Sequence, residues 1–289
     1  MNDLNDILGS PELFREYINY TARQVGFRRE LVEKDFFCSV ILSYLAKQLP
    51  DSVVFKGGTS LSKIYTEFYR LSEDLDFALS LFTGTSRGDR RQLIKPVKEI
   101  CAGLSKTLPG ILGLESLHGA NESRQYIGAW GYLSIVSGEV ERIKLEFSLR
   151  EELLFPGEIL PARTLLLNAI TGSDAISPFG IRVMVLPEIW AEKVRAALTR
   201  PNPAIRDFFD LDYAVLEKYL NLEDGRLLDL VRKKLVVPRQ GPVDYTAEKL
   251  ENLKRQIKTR LRPVLRDHEF NLFNLERIWG FLTRLADKL

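Results

Sequence analysis

The sequence predicts an α+β protein, with a mixed β-sheet core flanked by helices and a mainly helical C-terminal part. Three observations carry this expectation. Short runs rich in β-branched and aromatic residues cluster between residues 53 and 186. Helical 3–4 spacing dominates before and after that span. Within it, Val53-Val54-Phe55-Lys56 leads into Gly57-Gly58-Thr59-Ser60, and a later strand carries Asp74 and Asp76 two residues apart. Strands in one block and helices in another describe segregated α+β layers. Two domains are expected, residues 1–160 as the sheet core with N-terminal helices and residues 161–289 as the helical part that completes its cleft.

The elements follow in order. Residues 11–48 repeat apolar side chains at helical spacing, from Leu13, Tyr17 and Tyr20 to Phe36, Phe37, Val40, Ile41 and Tyr44. Asp51-Ser52 breaks that pattern before the strand 53–56. Residues 59–69 predict a helix through Leu61, Ile64, Tyr65 and Phe68. Residues 72–79 form the aspartate strand, and 83–91, rich in Gly, Ser and Arg, predict a loop. A helix over 93–108 ends at Pro109-Gly110. Strands at 126–136 and 142–149 flank Ser137-Gly138-Glu139, which suits a hairpin. A strand at 181–186 precedes Pro187, placed for the first turn of a helix to about residue 199. Another helix runs from about 205 to 219. Helices continue to the end, with breaks at Pro238, Pro242 and Pro263.

Composition narrows the class. With 289 residues and 45% hydrophobic content, the chain can bury a substantial core, and 28% charged residues at a net charge of +2 argue against disorder. No apolar run is long enough to span a membrane. Residues 1–6 are acidic and polar, which predicts no secretory signal and a cytoplasmic location. Only Cys38 and Cys101 occur, both in apolar helical patterns, so a disulfide or zinc site is not expected. Residues 217–289 hold sixteen Lys/Arg against eleven Asp/Glu, so the preceding part is net acidic. Lys254, Lys258, Arg262 and Arg266 recur every four residues with Arg255 and Arg260 nearby, a basic stripe that a polyanion could follow.

The strand period of two puts Asp74 and Asp76 on one face, with Leu75 and Phe77 on the other. Their Cα atoms then lie about 6.6 Å apart, a separation that suits carboxylates sharing one Mg²⁺ or flanking a metal pair. The Gly57–Gly58 turn offers backbone amides where an anion is favoured. Metal-holding carboxylates beside phosphate-holding amides describe phosphoryl-transfer chemistry. A Walker A loop is excluded, because the GKS or GKT ending is missing from Gly57-Gly58-Thr59-Ser60-Leu61-Ser62-Lys63.

Lys56-Gly57-Gly58-Thr59-Ser60-Leu61, followed by Arg70-Leu71-Ser72-Glu73-Asp74-Leu75-Asp76-Phe77, resembles the signature of AbiEii/MenT-type toxins in the nucleotidyltransferase superfamily. Leu186-Pro187-Glu188-Ile189-Trp190-Ala191-Glu192-Lys193 is similar to that group's lysine-bearing helix, and Arg206-Asp207-Phe208-Phe209-Asp210-Leu211 to its RDxxDL motif. The resemblance implies a nucleotidyltransferase-type core and an enzyme of toxin–antitoxin or phage-defence systems. It implies transfer of NMP from an NTP to an RNA acceptor, the tRNA 3′ end foremost, and a cognate antitoxin protein encoded nearby.

It also implies roles. Asp74, Asp76 and Glu146 would hold Mg²⁺, or Mn²⁺; Glu146 stands where many superfamily members have aspartate. Lys56, Gly57, Gly58, Thr59 and Ser60 would bind the nucleotide. Lys193 would face the triphosphate, with Arg206, Asp207 and Asp210 orienting it or the nucleotide. For the RDxxDL residues a helix-surface ion pair, and for Lys193 a solvated helix lysine, are the alternatives. Transfer to a protein hydroxyl, or a catalytically silent binding module, remain open beside RNA modification.

Overall fold

Before the first strand the chain forms α1 (Asn2–Gly9), α2 (Pro11–Val25) and α3 (Arg29–Gln48). The stretch expected as continuous helical pattern is divided at Gly26, whose φ of +75° is a left-handed helix end that glycine adopts without strain. α3 is buried along most of its length, with Phe36, Phe37, Val40, Ile41 and Leu45 facing the sheet core. Then come β1 (Val53–Lys56), α4 (Gly57–Ser60), β2 (Asp74–Leu79), α5 (Arg87–Leu93), α6 (Lys95–Thr107), β3 (Leu112–Ala120), β4 (Gln125–Leu133), β5 (Val140–Ser148), β6 (Glu158–Ala162) and β7 (Phe179–Val183). The remaining helices are α7 (Leu186–Thr199), α8 (Ile205–Leu216), α9 (Gly225–Leu235), α10 (Ala247–Gln256), α11 (Asp267–Leu272) and α12 (Leu275–Ala286). This computed structural model describes residues 2–82, 84–221, 223–236 and 241–289. The predicted breaks and loop that involve Pro238 and Thr83 fall there on residues outside the described ones.

The strands make a seven-stranded mixed sheet in the order β3-β4-β5-β2-β1-β7-β6. β1 runs antiparallel to β2 and parallel to β7, and β2 runs parallel to β5. The mixed α+β architecture is as the sequence predicts. One sheet face packs Phe55, Leu75, Phe77, Leu145 and Phe147 into the core, with the Phe77 and Phe147 rings stacked at 4.8 Å.

Four local expectations are corrected. The helix expected over 59–69 is α4 followed by a π-helical turn, Leu61–Tyr65. It stops there because Thr66 donates to Leu61 O through both its amide and its hydroxyl, and Glu67 and Phe68 turn left-handed. The loop expected over 83–91 contains α5, started by Ser86, whose Oγ accepts from Asp89 N at 3.1 Å. β3 and β6 were not expected. Both are edge strands, and Pro161, which lacks an amide proton, is tolerated in β6 because one side makes no ladder bonds. The helix expected to reach Tyr219 ends at Leu216, where Lys218 is left-handed.

The chain divides into two compact units, residues 1–153 with 157–184, and residues 154–156 with 185–289. Residues 161–184, grouped with the helical part in the sequence reading, cluster with the sheet. β7 pairs with β1, and Met184 N donates to Phe55 O at 2.9 Å. Residues 154–156 cluster with the second unit because the buried Glu188 carboxylate accepts from Leu154 N at 2.9 Å and Phe155 N at 3.2 Å. Lys234 neutralises that carboxylate from α9 at 2.6 Å. The second unit is helical, with Phe208 stacked on Trp279 and Phe209 edge-on to Phe273.

The basic stripe does not survive folding as one line. α10 gives way to a π-turn over Ile257–Leu261 and a 3₁₀ turn at Arg262–Val264, where Pro263 cannot continue an α-helix. Lys254 pairs with Glu251, Arg262 with Asp267 and Arg266 with Glu269. Among the described residues no helix is long and apolar enough to cross a membrane.

Candidate active site

The two aspartates owe their place to strand pairing. In β2, Asp76 faces Lys56 of β1 on one side and Glu146 of β5 on the other, while Asp74 faces Lys144. Strand alternation therefore sets Asp74, Asp76, Lys144 and Glu146 on the sheet face opposite the phenylalanine stack. They form a square of three carboxylates and one ammonium, with Lys56 beside it.

That crowding has an electrostatic signature. Asp76 is pushed up from 3.8 to about 6, first by burial and then by the Glu146 and Asp74 charges, against which Lys144 and Lys56 pull. Burial would raise Glu146 too. Yet the hydrogen bond and charge of Lys144, with Gln125 and Arg150, hold it below its ordinary value. Lys144 Nζ donates to Glu146 Oε2 at 2.8 Å, and Gln125 Nε2 donates to the other oxygen, Oε1. Gln125 is fixed in turn, because its own oxygen accepts from Arg150 Nη2 at 2.9 Å and Asn121 Nδ2 at 2.7 Å.

The glycine turn is shaped to this acid cluster. Gly57 has φ +83°, and a Cβ there would stand 2.8 Å from Asp76 Oδ2. A Cβ on Gly58 would run into the guanidinium of Arg70, which is 2% exposed and donates to Leu71 O at 3.2 Å. Both glycines are therefore demanded, one by conformation and by the carboxylate, the other by a buried arginine. Thr59 Oγ1 donates to Asp74 O at 2.5 Å and Ser60 Oγ to Gly57 O at 2.8 Å. Thr59 thus ties the turn to β2 and Ser60 closes it on itself, leaving the turn's amides as its means of meeting an anion. Lys63 is not available to a phosphate. It is buried, with Nζ on Asp35 Oδ1 at 2.6 Å and Ser39 Oγ at 2.7 Å, and Asp35 Oδ2 accepts from Leu165 N at 2.9 Å.

Asp74 and Asp76 fit a divalent cation by donor type, by shared face and by the raised Asp76 pKa, which a cation would relieve. Among the described residues, however, no three His, Cys, Asp or Glu side chains converge as a metal-holding group. Glu146 is committed to Lys144 and Gln125, and completes such a set only by releasing Lys144.

The remaining expected residues lie in the second unit. Lys193 of α7 is bound to Asp207 Oδ1 at 2.7 Å and Asp210 Oδ2 at 2.8 Å, both on the first turns of α8. Arg200 reaches Asp207 Oδ2 at 3.0 Å, and Arg206 is half-buried on the same helix. Asp207 and Asp210 are buried, so the motif is no surface ion pair, and Lys193 is no solvated lysine. Burial opposes ionisation of Asp207, but Lys193 and then Arg200 hold it below the usual carboxylate range.

Sequence reasoning missed the roles of Gln125, Lys144 and the Asp35–Lys63 pair, and Arg70, noted in the motif, proves to be the buried neighbour of Gly58. Lys144 was visible as a same-face neighbour of Glu146 in Lys144-Leu145-Glu146. The others meet their partners only through tertiary packing.

A family model described as "Nucleotidyl transferase AbiEii toxin, Type IV TA system" matches residues 41–288. A comparison with the curated proteins finds no match. Among solved structures, the chain is similar to MenT4, the nucleotidyltransferase toxin Rv2826c from Mycobacterium tuberculosis H37Rv. That similarity has a TM-score of 0.61 at 19% identity, covering 92% of this chain and 89% of the other. It is also similar to JHP933 from Helicobacter pylori, with a TM-score of 0.51 at 19% identity, covering 90% of this chain and 92% of that one.

Proposed function

We propose that this chain, which belongs to the AbiEii family of nucleotidyltransferase toxins of type IV toxin–antitoxin systems, transfers a nucleoside monophosphate from an NTP to an RNA hydroxyl. The tRNA 3′ end is the first acceptor to test, and Mg²⁺ is the expected metal. The observation that carries this reading is the Asp74–Asp76 pair on one sheet face, with the Asp76 carboxylate against Gly57.

Asp74 and Asp76 would hold the metal, with Glu146 as the third carboxylate beside them. The metal supplies charge neutralisation at the α-phosphoryl oxygens. The Gly57–Gly58 amides take the outer phosphates, and Lys56 adds a charge beside Asp76. Lys193, held by Asp207 and Asp210, enters as a self-contained charge cluster whose role is read from the NTP dependence of its variants. A neighbouring antitoxin protein is the expected partner, and phage defence one expected setting.

The experiment is incubation with each labelled NTP, Mg²⁺ and total tRNA. Label in RNA that is lost in Asp76→Ala, with folding retained, supports the reading. Label in protein alone replaces the acceptor. No transfer with any NTP refutes the enzyme reading. Co-expression with the neighbouring gene product tests the toxin assignment, because growth should recover.

A further inference from the structure

Lys144 occupies an unusual place for a charged strand residue. It lies beside Asp74 in the β2–β5 register, two residues from Glu146, and its Nζ sits on Glu146 Oε2 at 2.8 Å. The Asp74 and Asp76 carboxylates share its sheet face. Its side chain is 36% exposed, so the ammonium can leave without unfolding anything. Gln125, pinned by Arg150 and Asn121, keeps the other Glu146 oxygen in place while that happens.

We propose that Lys144 is a resident counter-ion of the acid cluster, holding Glu146 when no metal is bound and being displaced from it when a divalent cation arrives. A bare cluster of three carboxylates on adjacent strand positions would repel itself. The ammonium offsets that repulsion in the metal-free protein, and it competes with the metal for the same oxygen. Exchange of Lys144 for the cation turns Glu146 from an ion-pair partner into a ligand and swings a positive group to the rim of the site. This rests on the reading of Asp74 and Asp76 as metal ligands.

The test is Mn²⁺ binding to the full chain, measured by electron paramagnetic resonance without NTP, together with acylation of lysines read by mass spectrometry. Removing a competing charge at this distance should tighten Mn²⁺ binding about tenfold in Lys144→Met, whereas Lys144→Arg should stay near the wild type. In the wild type, Mg²⁺ should raise acetylation of Lys144 several-fold, a readout that needs no variant to fold. Mn²⁺ bound by the wild type but no more tightly by Lys144→Met overturns the counter-ion role and leaves the metal reading standing. Acetylation of Lys144 unchanged by Mg²⁺ overturns it too. Equal tightening in Lys144→Arg rules out charge as the cause and overturns it as well. No Mn²⁺ binding by the wild type overturns both the counter-ion role and the metal reading.

Discussion

Gly57 and Asp76 are fitted to one another: the glycine's left-handed φ of +83° turns the chain where any Cβ would stand 2.8 Å from the carboxylate's Oδ2. Gly57→Ala therefore meets two penalties. The left-handed backbone costs about 1–3 kcal/mol for a non-glycine residue, and relief of the contact displaces the Asp76 carboxylate. Thermal melting should show the first and nucleotide transfer the second. An alanine variant with wild-type transfer would refute the fit.

Asp76 predicts a pH-dependent stability of defined sign. Its pKa in the fold is about 6 against an ordinary 3.8, so ionising it costs the folded state. The cost is absent below about pH 4, grows as pH rises through 6 and is complete above. Asp76→Asn removes the cost, so the metal-free variant should be more stable than wild type at pH 8, by about 1–2 kcal/mol once partial solvent access is allowed for. The difference should vanish near pH 4. Mg²⁺ should raise the wild-type melting temperature and leave the variant's nearly unchanged.

The Asp35–Lys63 pair is buried on both sides and ties α3 to the π-turn that follows the two glycines. Asp35→Leu strands the Lys63 ammonium and should cost roughly 3–5 kcal/mol. Adding Lys63→Met removes the stranded charge, so the double variant should regain part of that loss, the Leu165 amide remaining without its Asp35 acceptor. Chemical denaturation of the four proteins of this cycle checks it. A double variant less stable than Asp35→Leu would mean that Lys63 stabilises the fold through Ser39 and not only by pairing with Asp35.

What the sequence disclosed and what it hid divide along one physical line. Features with a local period were legible. The alternation of Asp74, Leu75, Asp76 and Phe77 gave both faces of β2, and Pro187 marked the start of α7. Features that need a partner from elsewhere were not. β3 and β6 lack the β-branched alternation of inner strands and exist because β4 and β7 offer them a free edge. Glu146 was singled out by the family resemblance and alternation gave only its face, while its capture by Gln125 depends on β4–β5 register, which no single segment encodes. The basic stripe failed for a related reason. Pro263, already legible as a break, ends the continuous helix that the stripe's four-residue repeat needs, and local acidic partners take up its charges.

Lys193 gives the last prediction. Its ammonium is shared by two buried carboxylates, Asp207 and Asp210. Burial alone would disfavour the Asp207 charge, but Lys193 and Arg200 depress its pKa below the ordinary value. A depressed carboxylate stabilises the fold above its unfolded pKa and loses that contribution as pH falls through the folded one. Lys193→Met should thus destabilise the protein by roughly 3–5 kcal/mol at pH 7. The gap to wild type should narrow as pH falls through the folded Asp207 pKa, which lies below the ordinary carboxylate value. Lys193→Arg keeps the charge and should fall between the two. Melting curves of the three proteins from pH 3 to 8 decide it, because a gap independent of pH would assign Lys193 a packing role and remove the ion cluster from the account.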